Sequence, residues 1–95
     1  MATIRTKTLA FQPGSLFITP NAAKAVHSSD VIDALARHLQ QDWGLVDGED
    51  SAANDRAVAE GARILSAYRD RYGTKFWIIT ESDRSVTSVL LPEDY

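Results

Sequence analysis

The sequence contains no cysteine. Disulfide bonds, iron–sulfur clusters, thiolate zinc sites and thiol catalysis are therefore excluded, and such a composition fits a cytoplasmic protein. The chain also lacks an apolar run near the roughly 18 residues that a transmembrane helix needs. Its N-terminal residues lack the apolar core of a secretory signal. We therefore expect a cytoplasmic protein that does not bind a membrane.

Histidine and glycine are also scarce, with two and five residues respectively. His27 and His38 fall on different predicted elements, so they do not form the ligand spacing of a metal site. The glycines are scattered rather than gathered in a phosphate-binding loop, and the acidic residues 47–50 lack the EF-hand spacing. His27 is explained by helix capping, and His38 is expected on a helix surface. We predict no catalytic residue, no metal, no cofactor and no enzymatic activity.

The composition is that of one small globular domain. Hydrophobic residues make up 44% and charged residues 24% of the 95 residues, which is ordinary for a folded domain and suits a single domain over residues 1–95. The net charge of −3 is unevenly distributed, because residues 42–60 hold six acidic residues and one basic residue. A nucleic-acid interface needs a basic stripe, so we expect no direct nucleic-acid binding.

Three helical segments are predicted. Thr19 has the residue type of an N-cap, and Pro20 that of a first helical position. They begin a short predicted helix that includes residues 22–26. Residues 52–61 can form another short helix, with a loop over residues 42–51 before it. The clearest helix covers residues 30–41, where apolar residues recur at the spacing of an amphipathic helix, namely Ile32, Leu35, Ala36 and Leu39.

The C-terminal third favours a β-meander. Residues 76–80 are aromatic and β-branched, and residues 86–91 form the return strand of a hairpin with Asp83 and Arg84 at its tip. Residues 61–70 fit a strand or a continued helix, and we prefer the strand because a hairpin follows. The predicted fold class is α+β, with N-terminal helices packed on a C-terminal three-stranded antiparallel β-meander.

The N-terminal segment is less regular. Threonines alternate with charged or apolar residues over residues 3–8, which is a weak strand signal. A Pro-Gly turn follows within residues 12–15. Residues 16–18 are a short apolar run that fits either a strand or the beginning of a helix.

Both faces of the predicted hairpin are rich in apolar residues. A sheet with one face in water alternates apolar with polar residues, and this hairpin does not. The second face must therefore be covered, either by other parts of the chain or by a second copy or partner. The candidate interface residues on this face are Trp77, Ile79 and Leu90.

The acidic segment contains an aromatic residue that could anchor a partner. A Trp with an acidic rim is typical of an interaction hot spot for a basic protein surface. Two alternatives stay open: the segment is a solvated loop, or Trp43 folds back on the core. The predicted partner-binding residues are Asp42, Trp43, Asp47, Glu49, Asp50 and Asp55.

Several short motifs run through residues 36–95. They are Arg37-His38, Asp42-Trp43-Gly44, Ser66-Ala67-Tyr68, residues 77–87, and Leu91-Pro92-Glu93-Asp94-Tyr95. With these motifs the chain resembles a family of small proteins of plasmids, phages and other mobile elements, often labelled "plasmid-related protein" or "type I restriction endonuclease subunit M". A methyltransferase subunit needs a cofactor-binding domain and a catalytic motif, and this chain has neither. The resemblance therefore implies the mobile-element setting rather than that activity.

Small accessory proteins of mobile elements often act on host defence systems by binding a nuclease, a guide complex or a signalling protein. The resemblance thus implies a non-enzymatic inhibitor of anti-CRISPR or anti-restriction type in the host cytoplasm. Three alternatives stay open. One is a structural or regulatory homodimer that pairs hairpins or helices, and another is a ligand-sequestering protein with a pocket at a dimer seam. The third is a small ribonuclease-like toxin that uses Arg69, Arg71, Lys75 and Arg84.

Overall fold

Three α-helices and four strands are present in the computed structural model, which describes residues 9–95. The pattern predicted for residues 3–8 lies outside these described residues. The elements in chain order are β1 (Ser15–Ile18), α1 (Pro20–Ala25), α2 (Ser28–His38), α3 (Gly48–Glu60), β2 (Ile64–Arg69), β3 (Lys75–Thr80), β4 (Val86–Leu90) and a 3₁₀ helix (Pro92–Asp94). The fold class is α+β, as predicted. No helix in residues 9–95 is long and apolar enough to cross a bilayer.

The four strands form one mixed sheet in the order β1-β4-β3-β2. Strands β2, β3 and β4 make the antiparallel meander that the sequence predicts. The prediction of a three-stranded sheet is wrong in one respect, because β1 adds a fourth strand parallel to β4. In this position, residues 16–18 pair with backbone hydrogen-bonding groups along the edge of β4.

A glycine makes the approach of β1 to β4 possible. Gly14 has a φ of 66°, in the left-handed region that favours glycine. A Cβ atom there would collide with the backbone carbonyl oxygens of Arg84 and Ser85. With no Cβ in the way, the next residue donates its backbone N–H to Ser85 at 2.9 Å and pairing begins.

The first two helices cover one side of the sheet, here called the helix face. On the hairpin this face carries Phe76, Ile78, Thr80, Thr87 and Val89, because these residues alternate with the other side and pair in register. Apolar side chains from α1 and α2 pack against it in one core cluster. That cluster comprises Ala22, Val26, Val31, Ala34, Tyr68, Phe76, Ile78, Val89 and Leu91.

The buried stripe of α2 is not the predicted one. Val31, Ala34 and His38 are buried, whereas Ile32 is 67% exposed. Both sets of residues have the i, i+3, i+7 type of spacing, so periodicity alone does not separate them. The prediction counted only apolar side chains and therefore placed His38 on the surface, which is wrong.

The outer edge of β2 is closed by other parts of the chain. The Asn54 side chain of α3 donates to the Leu65 carbonyl at 2.8 Å and accepts from the Leu65 N–H at 3.3 Å. Ala67 exchanges backbone hydrogen bonds with the segment around Gly44, at 3.2 Å and 2.7 Å. The outward-facing backbone N–H and C=O groups of Leu65 and Ala67 are therefore hydrogen-bonded within the chain.

The other side of the sheet, here called the second face, is covered within the chain near its centre. Ile79 is 2% exposed and Leu90 is 7% exposed, and Trp77 is half-buried. The 3₁₀ helix contacts β3, and the Tyr95 ring meets Trp77 edge-on with centroids 5.7 Å apart. In this conformation Ile79 and Leu90 are not available as interface residues, so of the three candidates only Trp77 keeps a partly exposed side chain.

A carboxylate holds the C-terminal segment in that position. Asp94 accepts hydrogen bonds from the Thr19 hydroxyl at 2.6 Å, the Asn21 amide at 2.8 Å and the Leu91 N–H at 3.0 Å. These bonds, that of Thr19 first, lower the pKa of Asp94. The segment that ends at Tyr95 is thus fixed to the beginning of α1.

Candidate functional site

The predicted acidic loop is partly helical. Helix α3 begins at Gly48, and the Asp47 side chain caps it by accepting from the Asp50 N–H at 2.7 Å. Glu49 and Asp50 therefore lie in the first helical turn, where the helix dipole favours negative charge. The sequence prediction began this helix four residues later because it took Ser51 as the cap and treated Gly48 as a loop residue.

Trp43 is in the core and is not an exposed anchor. It is 3% exposed and packs beside Phe11 and His38 at centroid distances of 6.2 and 5.6 Å. Its indole N–H donates to the Asp55 carboxylate at 2.9 Å. Of the two readings of Trp43 that the sequence left open, the structure agrees with the one in which it folds back on the core.

Two of the six predicted partner-binding residues remain without a local structural role. Asp42 accepts two hydrogen bonds from the Arg37 guanidinium, at 2.8 and 3.2 Å, and this bonding lowers the pKa of Asp42 and raises that of Arg37. Asp47 caps α3, Asp55 holds Trp43, and Trp43 is buried. The exposed carboxylates left for a partner are Glu49 and Asp50.

A buried chain of hydrogen bonds crosses the core, and the sequence analysis did not anticipate it. The His38 ring lies 2.5 Å from the Ser66 hydroxyl and 2.8 Å from the Thr80 hydroxyl. Thr80 contacts Thr87 at 2.7 Å, and Thr87 donates to the Pro13 carbonyl at 2.7 Å. We call this set Ser66, His38, Thr80, Thr87 and the Pro13 carbonyl the buried chain.

The direction of each proton in the buried chain follows from its last acceptor. A carbonyl only accepts, so the Thr87 hydroxyl uses its one proton on it and must accept from Thr80. The Thr80 hydroxyl therefore donates its one proton to Thr87, and it accepts a hydrogen bond from the Nε2–H of His38. The neutral His38 ring therefore accepts at Nδ1 from the Ser66 hydroxyl.

Burial keeps His38 neutral. The side chain is 0% exposed, and desolvation lowers its pKa to about 4. Ser66 and Thr80 are also 0% exposed, so a substrate cannot reach this serine and histidine without the core opening. The buried chain therefore satisfies polar groups in the core and fixes the segment before β1 to the sheet.

The basic residues of the ribonuclease alternative do not form one cluster. Arg69 and Lys75 lie opposite each other at one end of β2 and β3, and Arg71 nearby pairs with Asp30 at 3.0 Å. Arg84 lies in the turn at the other end of β3. Its guanidinium donates to backbone carbonyls of α3 and of the residues after it, at 2.8 and 2.6 Å. Arg84 thus closes a turn, away from the other three.

A cleft with a volume of about 410 Å³ lies between α2 and the β2–β3 turn. Three of the charged side chains that line it are in ion pairs, since Arg71 pairs with Asp30 and Arg37 pairs with Asp42. Asp33 and Arg69 also line the cleft. Asp70 accepts the backbone N–H groups of three residues. Within residues 9–95 there is no group of three or more His, Cys, Asp or Glu side chains that could hold a metal ion.

The outer edge of β1 is open and apolar. Leu16, Phe17 and Ile18 are 59%, 60% and 39% exposed, and Ile32 of α2 beside them is 67% exposed. No charged residue occurs between Lys7 and Lys24. We call the four residues Leu16, Phe17, Ile18 and Ile32 the β1 surface.

The backbone of β1 also presents free hydrogen-bonding groups. Ser15 donates its N–H to Ser85 in the turn before β4 at 2.9 Å, and Thr19 donates its N–H to Val89 of β4 at 3.0 Å. Because a strand alternates the direction of its peptide groups, Leu16 and Ile18 direct their N–H and C=O groups away from β4. In the part of the chain that the structure describes, β1 is the terminal strand of the sheet and these groups have no strand partner.

Two shallow apolar grooves adjoin the β1 surface. One, of about 160 Å³, lies between β1 and α2, and the other, of about 250 Å³, lies between α1 and α2. Both are lined by Ile18 and Val31, so they are continuous along the helix face. The apolar surface is therefore a concave strip rather than a set of isolated side chains.

Comparison with protein families, curated proteins and solved structures finds no match to this chain.

Proposed function

We propose that this chain is a non-enzymatic protein-binding module that contacts its partner through the β1 surface. The observation that carries the proposal is an uncharged terminal strand whose four residues are all exposed. Natural proteins usually protect such an edge with charged residues or by covering it. The β2 edge of this sheet is covered, so the β1 edge, which no strand covers within residues 9–95, is a specific exception.

The open edge suits recognition by strand addition. In that mode, backbone hydrogen bonds supply affinity and alternate side chains supply specificity. Full burial of a large apolar side chain contributes about 1.5–3 kcal/mol. Since 39–60% of each β1 side chain is exposed, a partner gains about 1 kcal/mol from each of the three.

The acidic segment supports a secondary role in the same function. Glu49 and Asp50 are exposed in the first turn of α3, and residues 42–60 carry a net charge of −5. Charges at the rim of an interface speed association and orient the partner more than they add affinity. We assign these two residues to a contact with a basic protein surface that is separate from the contact at the β1 surface.

Further aspects of the proposal rest on the resemblance. A partner from a host defence system, an inhibitory action on it and a cytoplasmic location are predictions from the mobile-element setting. The ribonuclease alternative has less support, because Arg84 lies apart from the other basic residues. A ligand-sequestering role has less support too, because Asp30, Arg37 and Arg71 at the cleft beside α2 are already in ion pairs.

A matched pair of variants tests the proposed function. Leu16 is 59% exposed and Leu45, which lies beside the β2 edge, is 54% exposed. Proteins captured from host lysate by immobilised wild type are compared with those captured by Leu16→Asp and Leu45→Asp. We expect a stoichiometric partner, a second copy of this chain included, to be lost from Leu16→Asp and kept by Leu45→Asp. Equal capture by both variants would contradict the proposal.

A further inference from the structure

We infer that the β1 surface binds a second copy of this chain. This inference rests on the proposed function and names its partner. The two β1 strands pair antiparallel about a two-fold axis that passes beside Phe17, and the two four-stranded sheets become one sheet of eight strands.

The backbone of β1 is complementary to itself in one register. The outward-facing residues are Leu16 and Ile18. Leu16 of one copy can therefore form a hydrogen-bonded pair with Ile18 of the second copy, and Ile18 with Leu16. Two such pairs give four backbone hydrogen bonds. Phe17 then lies opposite Phe17 of the second copy, at the closely spaced position between those pairs. Gly14 lies outside the strand with its φ of 66°, and Pro20 has no N–H to donate, so these two residues limit the length of the ladder.

The side chains also match across the axis. In register, Leu16 lies beside Thr87 and Ile18 beside Val89, so both side chains are on the helix face. Pairing therefore brings four aliphatic side chains together there. On the second face, Phe17 meets its copy at the axis. Cross-strand aromatic and aliphatic pairs of this kind each stabilise a sheet by roughly 0.2–1 kcal/mol.

The charge pattern favours a second copy over a charged partner. A self-paired surface brings every charge near its own copy, and like charges directly opposite each other are destabilising. The 16 residues between Lys7 and Lys24 carry no charge, so β1 pairs with itself without that cost. It also offers nothing that would recognise an acidic or basic peptide strand.

The closed β2 edge limits the assembly to two copies. If both edges were open, β1 of one copy could pair with β2 of the next, and the contact would extend into a filament. Asn54 and the backbone around Gly44 occupy the groups of Leu65 and Ala67. One open edge for each copy closes the assembly as a symmetric dimer. A four-residue ladder is small compared with standard interfaces of 1,200–2,000 Å², so we expect dissociation in the micromolar range.

A cysteine cross-link tests this register, because the natural chain has no cysteine. Opposed residues at the closely spaced positions of an antiparallel pair have Cα atoms about 4.5 Å apart, within disulfide range. Under mild oxidation at micromolar concentration, we expect Phe17→Cys to form a disulfide-linked dimer at least tenfold faster than Leu45→Cys. Phe17 and Leu45 are 60% and 54% exposed, so random collisions affect both equally. Adding Leu16→Asp to Phe17→Cys should remove the difference.

Sedimentation of the unmodified chain provides a second readout that does not depend on the folding of a variant. We expect a monomer–dimer equilibrium across the micromolar range with no larger species. A monomer at high micromolar concentration, or equal cross-linking of the two cysteine variants, would overturn the dimer. If a host protein is still lost only from Leu16→Asp, the binding module stands with a different occupant. If that loss is also absent, the proposed function fails with the dimer.

Discussion

The two edges of the sheet differ in how their backbone groups are satisfied. On β2, Leu65 is bonded to the Asn54 side chain and Ala67 to the backbone around Gly44. On β1, Leu16 and Ile18 direct the same groups outward beside exposed apolar side chains. The comparison shows that the chain can close an edge with its own residues and that, within residues 9–95, it does so at β2 and not at β1. We therefore treat the open edge as a surface for binding.

The largest loss of stability is expected from a substitution of Gly44, which lies at the closed β2 edge. Its φ is 72°, and a Cβ atom there would collide with the Ala67 carbonyl and the Tyr68 ring. We expect Gly44→Ala to lower the free energy of unfolding by roughly 4 kcal/mol, since strain and a lost edge contact add.

Urea unfolding measures this effect, with Gly48→Ala as the control. A Cβ atom at Gly48 would meet nothing within 4 Å, so this variant should be neutral or slightly stabilising. Similar losses in the two variants would show that the bridge at Gly44 does not hold the β2 edge.

Acid should weaken the attachment of the segment before β1. Burial lowers the pKa of His38 from 6.5 to about 4, so the unfolded state binds a proton that the folded state excludes. Stability is therefore constant above about pH 6.5 and falls as the pH drops towards 4, by about 3 kcal/mol in total. Urea unfolding at a series of pH values measures the slope.

A His38→Gln variant should lose most of that slope, because glutamine does not titrate. The carboxyl of Asp30 has a pKa lowered to about 2, mainly by its hydrogen bonds to Arg71. Its contribution is present above its unfolded value of about 3.8 and is lost only below that pH. A slope between pH 6.5 and 4 that persists in His38→Gln would exclude the assigned role of His38.

Removal of the Asn54 side chain should open the second edge. The change Asn54→Ala leaves the Leu65 N–H and C=O without partners, which costs about 1–3 kcal/mol. With two open edges, we expect the purified variant to form species larger than a dimer. Light scattering over a concentration series measures their mass, and Gln40→Ala, which removes an exposed side-chain amide, is the control. A variant that is destabilised but no larger than wild type would show that Asn54 does not limit assembly.

The smallest effect on stability is expected at the open edge. Leu16 is exposed in the monomer, so Leu16→Asp should lower the stability of dilute protein by less than about 1 kcal/mol. The same variant should abolish concentration-dependent association. Thermal unfolding at low and high micromolar protein separates the two effects. Wild type should gain stability with concentration and the variant should not. A loss of several kcal/mol in dilute solution would mean that Leu16 belongs to the core.

The meander could be predicted from the sequence because its signals are local. Residues 76–80 are β-branched and aromatic, and a polar turn separates them from the return strand. Strand β1 was harder to predict from the sequence, since an apolar run of three residues between two turn signals is too short to show the period of a strand or a helix. Its strand conformation depends on β4, which lies about 70 residues later in the chain.

The candidate site could be predicted less well than the fold. The acidic segment was predicted from its charges, and its sequence left Trp43 either at the surface or in the core. His38 was placed on the surface by its residue type, and tertiary contacts bury it instead. His38 is buried because Ser66 and Thr80 satisfy both of its ring nitrogens. These three residues lie far apart in the chain, so their hydrogen bonding produces no periodic pattern in the sequence. Ile32 is likewise exposed because α2 packs on the sheet through Val31, Ala34 and His38, and the sequence pattern does not distinguish these two sides of the helix.

Amide hydrogen exchange followed by NMR tests the contrast between the edges most directly. In dilute protein, the amides of Leu65 and Ala67 should be protected, and those of Leu16 and Ile18 should exchange rapidly. At high micromolar concentration, Leu16 and Ile18 should become protected while Leu65 and Ala67 stay unchanged. Protection of Leu16 and Ile18 in dilute protein, or rapid exchange of Leu65 and Ala67, would contradict the account of one open and one closed edge.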